Sequence, residues 1–442
     1  MSLVELDQGS GALLRPILVC GPGRGGSTAL MALLTSDARV AADHVHPFEN
    51  CLLTYCLKLA LLQSRFDRPG AWNIGQLIDF SDSGFGAYPY RPTAPAGAPP
   101  SAVLGQPTEA EWLRGLWQTT SEYISRRRPG AAWYAEKVPS WVPTYVGSDL
   151  GAKTIYLFRD PRDIFLSANA LMKKLDYYSF GRKPEDDDLA YAREVASAYL
   201  MLFENYRSHR NRPESMLLRY ENLARDPAAL SAALNEKLGV GVNIAGMNRT
   251  PPSHRTSSNL AASIERWRHE GLPTGVEGTL MDGLDEAIGY LGYAAGAQTE
   301  PGIPKIDCTR REDVGGLQHN SHGRFAGVSD EGLEIIPQGE DFSILLPERH
   351  LEASRVNECW LTLKSRIGSH CSIYWDSGQG FGEDESIHQP FFPADHWQIV
   401  RFGVGTKSRW TGTIRRIRFD LCNGGTISPY RRIYLRSIRL IR

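Results

Sequence analysis

Residues 16–34, PILVCGPGRGGSTALMALL, limit the fold more than any other stretch: an apolar run leads through Gly21, Gly23, Gly25 and Gly26 straight into helical spacing. A buried strand joined to a helix by a glycine loop is a building unit of an α/β sheet. TIYLF (154–158) and MLLRY (216–220) read as further buried strands, and helical spacing surrounds residues 29–34, 164–175, 189–207 and 228–238. The alternation predicts a parallel sheet covered by helices. Two stretches interrupt it and read as surface loops bordering a substrate pocket: Tyr88 to Pro107, rich in Pro, Ala and Gly, and Asp176 to Asp188, polar with aromatics.

The period changes near residue 299. TEPGIPKIDCTRREDVGG (299–316) reads as a linker, and beyond it CWLTLKS (359–365), HCSIYW (370–375), QIVRFGV (398–404), TIRRIRFDL (413–421) and RIYLRSIRLI (432–441) alternate as strands do. The expected organisation is an α/β domain over 1–298, a linker over 299–316 and an all-β, jelly-roll-like sandwich over 317–442.

Lys and Arg total 49 against 50 Asp and Glu, a net charge of -1, so no global field recruits nucleic acid and any anion affinity is local. The seven cysteines are scattered without a CxxC, which argues against a disulfide framework and a zinc site and fits a reducing compartment. With no signal-like start and no apolar run of about 18 residues, the expectation is a cytoplasmic protein without a membrane span or a metal.

The glycine loop carries the first chemistry. Glycines let the backbone approach an anion, and the helix that follows presents free N–H groups and a positive dipole end. Ser27 occupies the place of the Walker lysine, which argues against a kinase, and Arg24 supplies a cation inside the loop. Gly21, Gly23 and Gly26 also spell GxGxxG, so a dinucleotide fold with Asp43 as its acidic residue stays open, as does a glycine turn that binds nothing. At the end of TIYLF, RDPRDIFLS sets Arg159 at a strand's C-terminal edge and Ser167 on the next helix, suited to a second phosphate or to a salt-bridged helix start.

Together GPGRGGST and RDPRDIFLS resemble the sulfotransferases that use 3′-phosphoadenylyl sulfate, whose first loop reads close to GxxRSGTT and whose RDPRDxxxS keeps the same Arg-to-Ser spacing. AEKVPSW (135–141), LRYENLARDP (218–227), HRTSSNLAASIERWR (254–268) and LGY (291–293) follow in the family's order, and the similarity runs from Pro16 to Tyr293, nearest to bacterial and tyrosylprotein-type members. Gly25 stands for the usual Ser and Ser27 for the first Thr. The resemblance implies that Arg24, Gly25, Gly26, Ser27 and Thr28 hold the donor's 5′ end, that Arg159 and Ser167 hold its 3′-phosphate, and that Tyr220 and Arg266 touch the nucleotide. Lys137 matches a lysine that steadies the sulfuryl group, adenosine 3′,5′-bisphosphate is the product, and no metal is needed.

A general base must take the acceptor's proton. Related members carry a Glu where Val45 stands here, so His44, His46, Asp43 and Glu49 are the local substitutes, Glu49 and His46 foremost. The acceptor expected is the hydroxyl of a glycan or glycoconjugate, with Tyr88, Tyr90, Tyr177, Tyr178 and Phe180 suited to stacking. A peptide or secondary-metabolite acceptor, and a non-catalytic glycan-binding protein, are the alternatives. Trp360, Trp375, Trp397, Trp410 and the Arg-rich stretch from Arg401, opposed only by Asp420, fit either an anionic glycan on the β domain or packing against the catalytic part.

Overall fold

The apolar run Arg15–Cys20 forms β1 and leads into α1 (Ser27–Leu34), β2 (Val40–Ala41), α2 (Leu52–Leu61), α3 (Glu109–Arg127), β3 (Trp133–Val138), α4 (Val142–Val146) and β4 (Lys153–Phe158). Next come α5 (Pro161–Leu175), α6 (Asp188–His209), β5 (Ser215–Arg219), α7 (Tyr220–Arg225), α8 (Pro227–Leu238), α9 (Arg266–Glu270) and α10 (Val276–Tyr290). The later chain holds β6 (Lys305–Asp307), α11 (Arg311–Val314), β7 (Gln318–His319), β8 (Gly323–Ser329), β9 (Gly332–Pro337), β10 (Ser343–Leu345) and β11 (Leu351–Glu352). It ends with β12 (Glu358–Ser365), β13 (His370–Asp376), β14 (Ser386–Pro390), β15 (Ala394–Phe402), β16 (Thr413–Ile414), β17 (Arg416–Asn423) and β18 (Ile433–Ile441). The computed structural model describes residues 13–42, 48–61, 108–147, 150–244, 255–257, 259–293, 305–339, 341–423 and 432–442. The expected loop from Tyr88 to Pro107 lies outside them.

The chain gathers into two compact units: Met1–Gly21, Gly25–Phe158 and Asn211–Arg255 in the first, Pro22–Arg24, Arg159–Arg210 and Thr256–Arg442 in the second. In the first unit the strands form a parallel five-stranded sheet in the order β2-β3-β1-β4-β5. β1 is central because Ile17, Leu18, Val19 and Cys20 are all buried, as a strand covered on both faces requires. The register sets Cys20 beside Val138 and Tyr156, and Phe158 beside Arg219, so the glycine loop and the segments after β3, β4 and β5 leave one edge of the sheet. That carboxyl edge is where open α/β sheets bind ligands. Sequence reading missed β3: its run is broken by Glu136, a carboxylate that is 2% exposed and accepts from the backbone N–H groups of Leu53 and Thr54 at 2.8 and 3.0 Å. Glu136 thereby satisfies donors at the start of α2. Tyr220, expected to end a strand, begins α7 instead.

In the second unit, two antiparallel sheets, β14-β13-β17-β10-β7 and β15-β12-β18-β9-β8, enclose a core that includes Ile373, Trp375, Leu361, Phe402, Phe419 and Leu435. Residues 305–314 are a correction to the expected linker: β6 pairs with β18, setting buried Ile306 opposite Ile438, and α11 follows it. The outer face of the second sheet packs on α6 and α10. Trp397 donates through its indole N–H to Ser208 at 2.7 Å, and Trp360 sits where a Cβ on Gly283 would lie 3.0 Å from its ring.

Candidate active site

α1 begins at Ser27 without a side-chain cap and without an acidic residue in its first turn. Its N-cap, Gly26, has φ +96°, and a Cβ there would lie 2.2 Å from the Tyr220 ring. Only glycine accepts both the left-handed backbone and the close approach. The result is a helix N-terminus whose N–H groups and dipole favour an anion. From β3, the Lys137 Nζ donates to Thr28 Oγ1 at 3.3 Å and to the Glu49 carboxylate at 3.2 Å. The Glu49 side chain is 67% exposed. Three residues singled out by sequence, Thr28, Lys137 and Glu49, therefore stand in one hydrogen-bonded chain. His46, the other candidate base, lies outside the described residues, as do Asp43, His44 and Val45.

In the second unit, Arg24 takes φ +64° and donates from Nε to Ser167 Oγ at 3.2 Å, while its carbonyl accepts from Arg159 at 2.8 Å. Arg159 also donates to the Ser263 carbonyl at 2.6 Å. Ser167 meets Thr256 at 3.0 Å, and Arg266 donates to Thr256 at 3.4 Å while gripping the Glu270 carboxylate at 2.7 and 2.9 Å. Arg24, Arg159, Ser167 and Arg266 thus form one cationic cluster, which joins Arg24 to the residues expected for the 3′-phosphate. Phe180, with φ +55°, lies over the loop, and a Cβ on Gly23 would meet its ring at 2.7 Å.

Several residues of this cluster were not singled out by sequence. Asp160 caps α5 by accepting from the Arg162 N–H, and the Arg162 guanidinium returns to Asp160, reaches Glu277 at 3.1 Å and stacks 3.7 Å from the Trp267 ring centre. RDPRD is therefore a salt-bridged helix start and a source of Arg159 at once. Asp163, fully buried, accepts from the Glu265 and Trp267 N–H groups at 2.7 and 3.2 Å and so anchors α9. Burial pushes its carboxyl up to about 6, against the opposing pull of Arg159 and of those two N–H bonds. The signal that could have found Asp163 is the second acid of RDPRD.

Four arginines of the Arg-rich C-terminal stretch serve packing, one of the two expected uses. Arg401 pairs with Glu358 and Glu194, Arg436 with Glu204 at 2.5 Å, Arg439 with Asp285 at 2.9 Å and Arg442 with Asp282 at 2.8 Å. These acids, Glu358 aside, belong to α6 and α10, far away in sequence. Trp360, Trp375, Trp397 and Trp410 are all buried and offer no stacking surface. Among the described residues no group of His, Cys, Asp and Glu is arranged to hold a metal, and no helix is long and apolar enough to cross a membrane.

Residues 16–243, more than half of the chain, match the model of the Sulfotransferase family. The chain belongs to the sulfotransferase family. It is 27% identical over 183 residues to carbohydrate sulfotransferase 1 of Mus musculus, a match that spans 37% of this sulfotransferase and 44% of the relative. The chain thus spans less than half the length of that curated relative. Among solved structures, a sulfotransferase domain from the curacin biosynthetic pathway aligns with 65% of this chain and all of its own, at 18% identity and a TM-score of 0.38. The C-terminal CBM6 of a Zobellia galactanivorans laminarinase aligns with 31% of this chain and 98% of its own, at 14% identity and a TM-score of 0.22.

Proposed function

We propose that the protein moves a sulfuryl group from 3′-phosphoadenylyl sulfate to a hydroxyl of a glycan or glycoconjugate. The observation that carries this reading is the Thr28–Lys137–Glu49 chain at the N-terminus of α1, a cation held between a hydroxyl on an anion cradle and a carboxylate. The residues fit such a donor. Gly26 gives the loop the left-handed turn and close packing on Tyr220 that start α1, the first turn of α1 holds no acid, and an arginine–serine cluster is suited to a phosphate. The similarity to a mouse carbohydrate sulfotransferase supports a carbohydrate acceptor. We assign transfer to residues 1–298 and an accessory glycan-holding role to residues 317–442.

The donor supplies the sulfuryl group and departs as adenosine 3′,5′-bisphosphate, one S–O bond breaking as another forms to the acceptor. Gly25, Gly26, Ser27 and Thr28 offer N–H and hydroxyl donors to its 5′ end, with Tyr220 supporting Gly26. Arg159, Ser167, Arg24 and Arg266 hold the 3′-phosphate. Lys137 neutralises charge that develops on the transferred oxygens, where a fixed cation acts most strongly. Glu49, exposed beside Lys137, takes the acceptor's proton. His46 is the second candidate for that role.

Calorimetric titration with adenosine 3′,5′-bisphosphate tests the donor half, and labelled-sulfate transfer onto oligosaccharides, peptides and small hydroxyl compounds tests the acceptor. Micromolar binding that Arg159→Ala abolishes, followed by label on oligosaccharides, is the expected result. Absence of binding overturns the donor assignment, and label on peptides or small compounds alone overturns the glycan.

A further inference from the structure

One sheet of the sandwich, β15-β12-β18-β9-β8, turns its outer face to α6 and α10; the other, β14-β13-β17-β10-β7, alternates core residues with a second set of side chains. On β13, Cys371, Ile373 and Trp375 enter the core, so Ser372, Tyr374 and Asp376 stand on the opposite face. The register sets Tyr374 beside Ser386 and Arg418, and Ser372 beside His388 and Asp420. These groups are already fixed to one another. His388 Nδ1 meets Ser372 at 2.7 Å, and its Nε2 meets Ser386 at 3.2 Å and Glu383 at 3.4 Å. Arg418 forks onto Asp420 at 2.6 and 2.8 Å, and Arg416 onto Asp376. The Tyr374 ring stands edge-on to His388 at 5.9 Å, with the Arg418 guanidinium 5.0 Å from its centre. Ser372 and Asp420 are 1% and 2% exposed beneath this layer, whereas the His388 side chain is 49% exposed and that of Arg416 42%.

We infer that this outer face of β13, β14 and β17 is a binding site for a neutral oligosaccharide. The charge decides the class: among the described residues Arg416 and Arg418 are matched by Asp376 and Asp420, and Glu383 adds a further negative charge, so the face has no excess of positive charge to hold a polyanion. That departs from the anionic glycan expected from the Arg content of the stretch. A pyranose offers what the face lacks, paired hydroxyls for the Arg–Asp forks and a C–H surface for the Tyr374 and His388 rings. Because the forks and rings are held before any ligand arrives, little side-chain freedom is lost on binding. The inference deepens the glycan half of the proposed function. Its test needs no donor, so failure of transfer and failure of this face are separately visible. The intact protein is run through native gels containing xylan, galactomannan, mixed-linkage glucan or heparin. Retardation by at least one neutral polymer, weakened at least tenfold in both Tyr374→Ala and His388→Ala with thermal midpoints unchanged, is expected. No retardation by a neutral polymer, retardation by heparin alone, or retardation unaltered in either variant overturns it.

Discussion

Lys137 is held by two groups, the Thr28 hydroxyl and the Glu49 carboxylate, and substituting Lys137 and Glu49 in turn separates their proposed roles. On the proposed mechanism Lys137→Ala removes the cation facing the developing charge, and kcat is expected to fall about 10²–10³-fold. The bisphosphate, which lacks the sulfuryl group, should still bind within a few-fold. Glu49→Gln keeps the size and polarity of the side chain but removes its basicity, and kcat should fall about 10²–10⁴-fold. Stopped-time assays with the donor saturating check both, and full activity in Glu49→Gln would move the base to His46. Arg159, Ser167 and Lys137 stand out as candidates in the sequence because their motifs are short and local. Glu136 does not, because the N–H groups that make its burial tolerable lie 82 and 83 positions away.

At the scale of elements, the RDPRD segment fastens α9 to α5, since Asp163 accepts from two N–H groups of the stretch that carries Arg266. An unfolded Asp titrates near 3.9, whereas burial raises Asp163 to about 6. Between those values the folded chain binds a proton that the unfolded chain does not. Its contribution is therefore fully present below about pH 4 and is lost as pH rises through about 6. The stability difference between the native protein and Asp163→Asn is expected to fall by about 1–3 kcal/mol over that window and to stay flat above it. Denaturant midpoints measured at half-unit steps from pH 4 to 7.5 check the slope; a difference that rises with pH refutes it. The helices α1, α5, α6 and α8 were legible from periodicity, and the strands β12, β13 and β18 from alternation. The expected linker was misread because KID is too short to show alternation, and only its partner β18 makes it a strand.

For the whole molecule, the C-terminal arginines make sense only with the helices of the second unit in view. Read along the chain, Arg401, Arg436, Arg439 and Arg442 have few acids nearby; in the fold they meet Glu194, Glu204, Asp285 and Asp282. The sandwich is thus fastened to α6 and α10 by ion pairs whose members stand more than 150 positions apart, a relation that periodicity and motifs do not carry. Arg436 and Glu204 are 4% and 1% exposed. Burial pushes the Glu204 carboxyl up while Arg436 and Arg207 pull it back, so the pair is sensitive to loss of either partner. Arg436→Met leaves a buried carboxylate short of a partner and is expected to cost about 3–5 kcal/mol, whereas adding Glu204→Leu should recover most of that cost, because a well-packed apolar pair replaces a buried ion pair with little penalty. Guanidinium unfolding followed by near-ultraviolet dichroism of Trp360 and Trp397, both on this interface, reads the two variants. If the ion pair joins sandwich and helices into one cooperative unit, the transition stays single in the native protein and in the double variant and shifts to lower denaturant in Arg436→Met; equal losses in the single and double variants would show that packing, not charge, holds the two together.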